Sequence, residues 1–292
     1  MDGDGRDDAL LKPRLLSRLE RLQLGTRRRL AGHVAGEHRS IRHGSSLDFA
    51  DYREYNPGDD FRRVDYHLFA RLDVLLVKLF EAEDDLDLRL FIDTSASMGE
   101  TKLLQAARVA AALGFVALVR RDVVSVHTFP LERRAPRFVG RSAAAALFAH
   151  LSGLTSEGET RFAEATTALL ARSTRPGLTV VISDLLTAEW ERGLTGLPAR
   201  GGDVVVVHVL DREELRPTLV GDMELVDRES GRRVVVSLSR DTVAAYEREA
   251  AAWIDGVATR CRSVGLGYVR LFSDDDLEPL LLGAWCREGV LR

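Results

Sequence analysis

Asp93, Ser95 and Ser97 follow one another in the order Asp-x-Ser-x-Ser within FIDTSASMGE, residues 91–100, directly after the apolar run LDLRLFI. So apolar a run reads as a buried strand, which puts the carboxylate and the hydroxyls of Thr94, Ser95 and Ser97 at its carboxyl tip. A second carboxylate, Asp184, closes the Val/Ile-rich run VVISD, and Thr160 in TSEGETRFAEA stands at the mouth of a helical stretch. In an open parallel sheet, ligands bind beyond the carboxyl ends of the strands, where the loops converge. Two carboxylates with several hydroxyls, and no His or Cys beside them, form a hard oxygen site suited to Mg²⁺ or Mn²⁺ and poorly suited to zinc. Neutral hydroxyls leave part of the coordination to water or to an incoming carboxylate. The expected chemistry is a metal-dependent grip on acidic residues. Taken singly, each of these residues could equally cap a helix or fill a turn; their joint spacing points to the metal.

The elements that must position them alternate along the chain. Strand-like runs cover residues 86–93, 122–129, 178–184, 203–210 and 266–273, with helical stretches between them. Near-continuous Val/Ile/Leu strands alternating with helices predict a three-layer α/β fold, a mainly parallel sheet with helices on both faces. TKLLQAARVAAALGFVALVRR is apolar nearly all round, so that helix should be covered on most sides. Two short runs around Glu229-Ser230-Gly231 predict a β-hairpin inserted at about 221–238. Before the sheet, Leu10, Leu11, Leu15, Leu19, Leu22 and Leu24 predict a helix ending near Gly25, and residues 31–70 read as an ordered irregular segment. The expected division is an N-terminal helix and cap over 1–80 and an α/β domain over 81–292.

The 292 residues are 45 % hydrophobic and 29 % charged with a formal net charge of -4, which gives no general reason to expect nucleic-acid binding. Positive charge is concentrated between Arg14 and His43, where a solvated basic face is the simplest account. The acidic start MDGDGRDDAL lacks the features of a secretory signal, and no stretch reaches the roughly 20 apolar residues of a membrane span. A cytoplasmic location is expected. Cys261 and Cys286 are too few for a disulfide framework, and His33, His38 and His43 fit no common zinc spacing. No phosphate loop, G-x-S-x-G elbow or H-E-x-x-H is present. A haloacid dehalogenase-like phosphohydrolase would need a second Asp two residues after Asp93, where Ser95 stands. The expectation is a binding protein, not an enzyme.

Asp93, Ser95, Ser97, Thr160 and Asp184 together resemble the metal-ion-dependent adhesion site of von Willebrand factor type A domains. Upstream, Arg53, Tyr55, Pro57, Gly58, Asp59, Asp60, Arg63, Asp65, Ala70 and Arg71 resemble the signature of the bacterial family named domain of unknown function 58, with Tyr66 where a Trp usually stands. The resemblance implies a type A fold over most of the remaining chain. It further implies a partner, a MoxR-type AAA+ ATPase, with which such proteins act in chaperone-like assembly or activation of clients that present acidic residues. Larger relatives carry membrane spans, so a soluble short form is implied here. The threonine loop departs from the pattern: Glu159 lies next to Thr160, leaving Thr155 and Glu159 as competing ligands. The rival expectation is a scaffold with a vestigial metal site that binds through its N-terminal cap. For the Pro57–Asp60 turn, with Arg53, Arg62, Arg63 and Asp65 around it, an internal ion-pair lattice is expected.

Overall fold

Pro13 occupies the first turn of α1 (Pro13–Leu19), where its fixed φ suits a helix and its missing N–H is no loss. The computed structural model describes residues 10–25, 47–56, 59, 61, 64–82, 86–130, 135–172, 177–200, 202–219 and 221–292. His33, His38, His43 and the arginines at 27–29 lie outside the described residues. The chain divides into a large unit, residues 1–30 with 86–292, and a small unit, residues 31–85. The expected division at residue 80 is thus corrected at the N-terminus, because residues 10–25 go with the large unit. The helix is also shorter than the leucine spacing suggests. Beyond Glu20 the backbone turns to the C-terminal segment: Gln23 N donates to Arg292 O at 2.7 Å, and Gly25 N to Val290 O at 2.9 Å. Leu15 and Leu19 are buried from the helix and Leu24 from this bridge, so one leucine series serves two backbone geometries.

The small unit pairs β1 (Leu47–Glu54) antiparallel with β2 (Leu76–Ala82) and carries α2 (Tyr66–Leu72) between them. A register shift between Phe49 and Asp51 breaks the alternation of β1, which is why the segment read as irregular. Asp65 caps α2, its Oδ1 accepting from the amides of His67 and Leu68. Its Oδ2 takes Lys78 Nζ at 3.0 Å and the Tyr52 hydroxyl at 2.9 Å, and these two hold its carboxyl far below the usual carboxylate range. Arg53 pairs with Asp59 at 2.8 Å. Pro57, Gly58, Asp60, Arg62 and Arg63 fall outside the described residues, so the expected lattice is represented by these two pairs.

In the large unit the chain runs through β3 (Asp87–Asp93), α3 (Gly99–Val119), β4 (Val123–Phe129), β5 (Arg137–Val139), α4 (Ala144–Ser152), α5 (Phe162–Arg172) and β6 (Leu178–Ser183). It continues through α6 (Trp190–Gly196), β7 (Asp203–Leu210), α7 (Arg212–Leu215), β8 (Gly221–Val226), β9 (Arg233–Leu238), α8 (Arg240–Ser263) and β10 (Gly267–Phe272). The six-stranded sheet has the order β10-β7-β6-β3-β4-β5 and is parallel throughout except for β5, an antiparallel edge that the sequence pattern did not announce. Alternate strand residues enter two cores. Leu88, Leu90, Ile92, Val180, Ile182, Val205 and Val207 face one that includes α1, α3 and α4; Phe91, Val181, Val204 and Val206 face one that includes α5, α6 and α8. The helices therefore cover both faces. The expectation that no stretch is long enough for a membrane span is corrected by Ala96–Val119, which is apolar and long enough to cross one, with 83 % of its most apolar 18-residue window buried inside the fold. β8 and β9 form the separate hairpin expected at 221–238.

Because Leu19 is fully buried in the first core, Leu19→Ala should cost about 2–5 kcal/mol of stability, as large-to-small core changes do. Urea denaturation checks this. A cost near zero would show that α1 is a detachable cap and not part of the core.

Candidate functional site

β3 and β6 are neighbours in the sheet, and the chain leaves β3 toward β4 on one side while β6 lies on the other. Their carboxyl ends flank the point where strand order reverses, the place at which such sheets bind ligands. Asp93 ends β3 and Asp184 directly follows β6. Ile92 pairs with Ile182 in register, which brings Ser183 alongside Asp93.

Asp93 is completely buried. Its Oδ1 accepts from Ser95 N at 2.9 Å and its Oδ2 from Ser183 Oγ at 2.5 Å. Among the described residues no ion pair reaches it. Burial first, and the nearby Asp184 second, push its carboxyl up to about 7, against the smaller opposing pull of Ser183 and Ser95. Ser95 Oγ and Ser97 Oγ lie 3.0 Å apart. The hydroxyl of Thr94 is turned away and donates to Phe129 O at 2.9 Å, tying the end of β3 to the end of β4.

Asp184 is also buried, but with a cation beside it. Its Oδ2 accepts from Lys102 Nζ at 2.8 Å, and the same ammonium reaches Glu214 Oε2 at 2.7 Å. Burial works against the charge on Lys102, but Asp184 and Glu214 outweigh it and hold its pKa above the ordinary value. The Asp184 backbone carbonyl accepts from His208 Nε2 at 3.0 Å, leaving Nδ1 to accept from the Tyr268 hydroxyl at 3.0 Å. Burial lowers His208 to about 4, so the ring is neutral and serves to fix the end of β6.

The loop that carries Thr160 is sewn to the Asp93 loop by its backbone: Ala96 N donates to Gly158 O at 2.9 Å and Glu157 N to Thr94 O at 2.7 Å. Thr160 is buried, whereas Thr155 and Glu159 are exposed. Thr160 does not bond to Asp93, however. Its amide and hydroxyl both donate to Glu229, on the hairpin turn. The structure thus gathers Asp93, Ser95 and Ser97 directly, sets Thr160 on the adjoining loop, and ties Asp184 to its own lysine. Ser183, Lys102, Glu214, His208 and Glu229 were not read as site residues from the sequence, Glu229 having been read only as part of a hairpin turn. Lys102 left a signal there, as one of three lysines in the chain and placed on a largely apolar helix.

Among the described residues no three His, Cys, Asp or Glu side chains form a metal-binding group. The set is rich in hydroxyls, with one carboxylate that has no counter-cation among the described residues. That donor chemistry fits Mg²⁺ or Mn²⁺ at Asp93, Ser95, Ser97 and Thr160, since a cation beside Asp93 would supply the charge the buried carboxylate lacks. Asp184, already balanced by Lys102, would add chiefly to the field.

Residues 51–253 match the family model described as "Protein of unknown function DUF58". The chain belongs to this family. An uncharacterized protein of Mycobacterium tuberculosis is 30 % identical to it over 287 residues, covering 90 % of this chain and 86 % of that protein. An uncharacterized protein of Mycobacterium avium is 32 % identical over 115 residues, covering 39 % of this chain and 68 % of that protein. Among solved structures, the conserved hypothetical protein BatB from Bacteroides thetaiotaomicron is similar at a TM-score of 0.43 and 16 % identity, covering 70 % of this chain and 98 % of that one. An aerotolerance-related membrane protein from Bacteroides fragilis is similar at a TM-score of 0.39 and 16 % identity, with the same coverage of both chains.

Two outcomes are expected for this DUF58 protein. Lys102→Met should cost about 3–5 kcal/mol in urea denaturation, because it leaves the Asp184 carboxylate buried and unpaired; a loss below about 1 kcal/mol would mean that Lys102 does not balance Asp184. The second concerns pH. Asp93 holds its proton in the folded chain up to about 7, whereas an unfolded Asp releases it at about 3.9. Its contribution to stability is therefore complete below about pH 4 and is lost as the pH rises to about 7. Parallel urea titrations with Asp93→Asn in EDTA should show wild type losing ground over that window and no further above it.

Proposed function

We propose that this DUF58 protein is a metal-dependent protein-binding module of the von Willebrand factor type A kind and carries out no catalysis. The observation that carries the proposal is the buried Asp93 at the reversal of strand order, with hydroxyls around it and, among the described residues, no cation paired to it. Asp93, Ser95, Ser97 and Thr160 would hold Mg²⁺ or Mn²⁺, with Asp184 contributing charge from beside them. Bound there, the ion supplies an open coordination position for the Asp or Glu of a client. Ser183 and the Ser95 amide fix the orientation of the Asp93 carboxylate, and the 94–98 and 157–160 loops keep each other in place through backbone bonds. The proposed setting, taken from the family resemblance, is work alongside a MoxR-type AAA+ ATPase in assembling or activating client proteins.

A second reading has one observation in its favour. Phe61, Tyr66 and Leu72 of the small unit are exposed by 65 %, 59 % and 57 %, a concentration of apolar surface in one short segment. Under that reading the family-signature segment, and not the strand-end site, is the binding surface.

Thermal melts decide between a working and an idle metal site. Millimolar Mg²⁺ should raise the melting temperature of wild type and leave that of Asp93→Ala unmoved, since a ligand held only by the folded state stabilises by about 2.7 kcal/mol at ~100 times its Kd. Capture of an acidic client should fall with the same variant. An Asp93→Ala chain that captures as well as wild type, beside a Phe61→Ser/Tyr66→Ser chain that does not, would transfer the function to the small unit.

A further inference from the structure

The turn joining β8 to β9 lies on the candidate site. Glu229 commits both oxygens of its carboxylate to one residue: Oε1 accepts from Thr160 Oγ1 at 2.6 Å and Oε2 from Thr160 N at 2.9 Å. Next to it, Arg228 reaches the start of α3, its Nη1 lying 2.6 Å from where a side chain on Gly99 would begin. One turn therefore touches both the loop bearing Thr160 and the residue that follows the Asp93–Met98 loop.

The turn has the internal order to present that carboxylate. Asp227 Oδ1 accepts from Glu229 N at 3.1 Å, Ser230 N at 2.6 Å and Ser230 Oγ at 2.7 Å, and Asp227 O accepts from Gly231 N at 2.9 Å. Gly231 sits at φ +69°, a conformation that glycine adopts without strain. The strands behind the turn are held less well. β8 and β9 pair with each other in a two-stranded sheet, and no residue of either is buried. A ribbon of that kind is marginal by itself, so its attachment to the site depends on what the turn grips. Glu229 remains partly accessible, which lets water or another carboxylate compete for Thr160.

We propose that Glu229 is an internal acidic ligand. The hairpin covers the strand-end site by supplying the carboxylate that a client would otherwise supply, and the client binds by displacing it. This rests on the acidic-client reading of the site and deepens it. Thr160 offers an N–H and an O–H side by side, so the displacing group is a Glu or Asp with both oxygens free, carried on a tight turn like Asp227–Gly231.

The test uses the full chain as wild type, Glu229→Ala and Glu229→Ala/Asp93→Ala. Glu229 lies in an exposed turn whose own bonds come from Asp227, so its replacement leaves the fold in place, and Glu229→Gln, which keeps the size and removes the charge, serves as the second variant. Amide hydrogen exchange of residues 157–161 should quicken in Glu229→Ala. Binding to immobilised poly-L-glutamate in millimolar Mg²⁺ should tighten by about tenfold, the gain expected when a cover closed nine-tenths of the time is removed. Unchanged exchange at Thr160, or no gain in polyglutamate binding, overturns the inference. The two readings separate cleanly. A gain that needs no Mg²⁺ and persists in the double variant keeps the hairpin as cover and discards the metal. No gain in a chain whose melt still responds to Mg²⁺ through Asp93 discards the cover and keeps the metal.

Discussion

A carboxylate buried at the tip of a central strand, with no counter-cation among the described residues, is the constraint around which the large unit is arranged. Burying an ionised carboxylate is costly unless it is paired or hydrogen-bonded, and a group denied a partner tends to take up a proton instead. Asp93 receives two neutral donors, from Ser183 and the Ser95 amide, and its carboxyl is still pushed up to about 7. Asp184, across the same strand boundary, meets the problem in the other way, with an ammonium at 2.8 Å. Of two acids on adjacent strand ends, one has an ammonium beside it and, among the described residues, the other has none. The one with its own cation has little to gain from another, whereas the one without is where an added positive charge has most effect.

That asymmetry is produced by α3. Fifteen of its 21 residues are buried, so any polar group on its inner faces must find a partner. Lys102 finds Asp184 and Glu214; Gln105, one turn on, donates to Asp275 O at 2.8 Å and Phe272 O at 3.3 Å. The helix that fills the core therefore also fastens the ends of β6 and β10. His208 adds a neutral clamp from β7, linking the Asp184 carbonyl to Tyr268 of β10. Rigidity at the strand ends comes from these ties, because the loops themselves hold few apolar residues. A site preorganised in this manner needs little rearrangement when a ligand arrives.

The sheet was legible in the sequence because each parallel strand is a mostly apolar run between turn or polar residues. The runs read at 86–93, 122–129, 178–184, 203–210 and 266–273 correspond to β3, β4, β6, β7 and β10 within one residue at each end. The hairpin was legible for the same reason, Glu229-Ser230-Gly231 being the only turn signal between two short strand-like runs. What escaped has local causes. β5 is three residues long, the shift in β1 interrupts its alternation, and α1 yields to a backbone pairing that depends on residues 290–292. In the site, Asp93, Ser95 and Ser97 were visible because two-residue spacing announces itself. Lys102 with Asp184, Lys102 with Glu214, Ser183 with Asp93 and Thr160 with Glu229 are 82, 112, 90 and 69 positions apart. No local pattern encodes such pairs; the topology creates them.

The same separation explains why the hairpin matters more than its exposed strands suggest. In the proposed function, the affinity of the site for a client is a difference: what the client's carboxylate gains at Thr160 and the ion, less what Glu229 already has there. Asp93, Ser95, Ser97 and Thr160 would give an ion one carboxylate and three hydroxyls, and a client's carboxylate would strengthen that hold. Glu229, with both oxygens committed to Thr160, would occupy the client's position there. Exchange of one carboxylate for another changes neither the charge nor the donor count at the site, so it can proceed with little net cost. Discrimination has to come from the surroundings of the incoming acid: Arg228 beside Gly99 and the exposed Glu159.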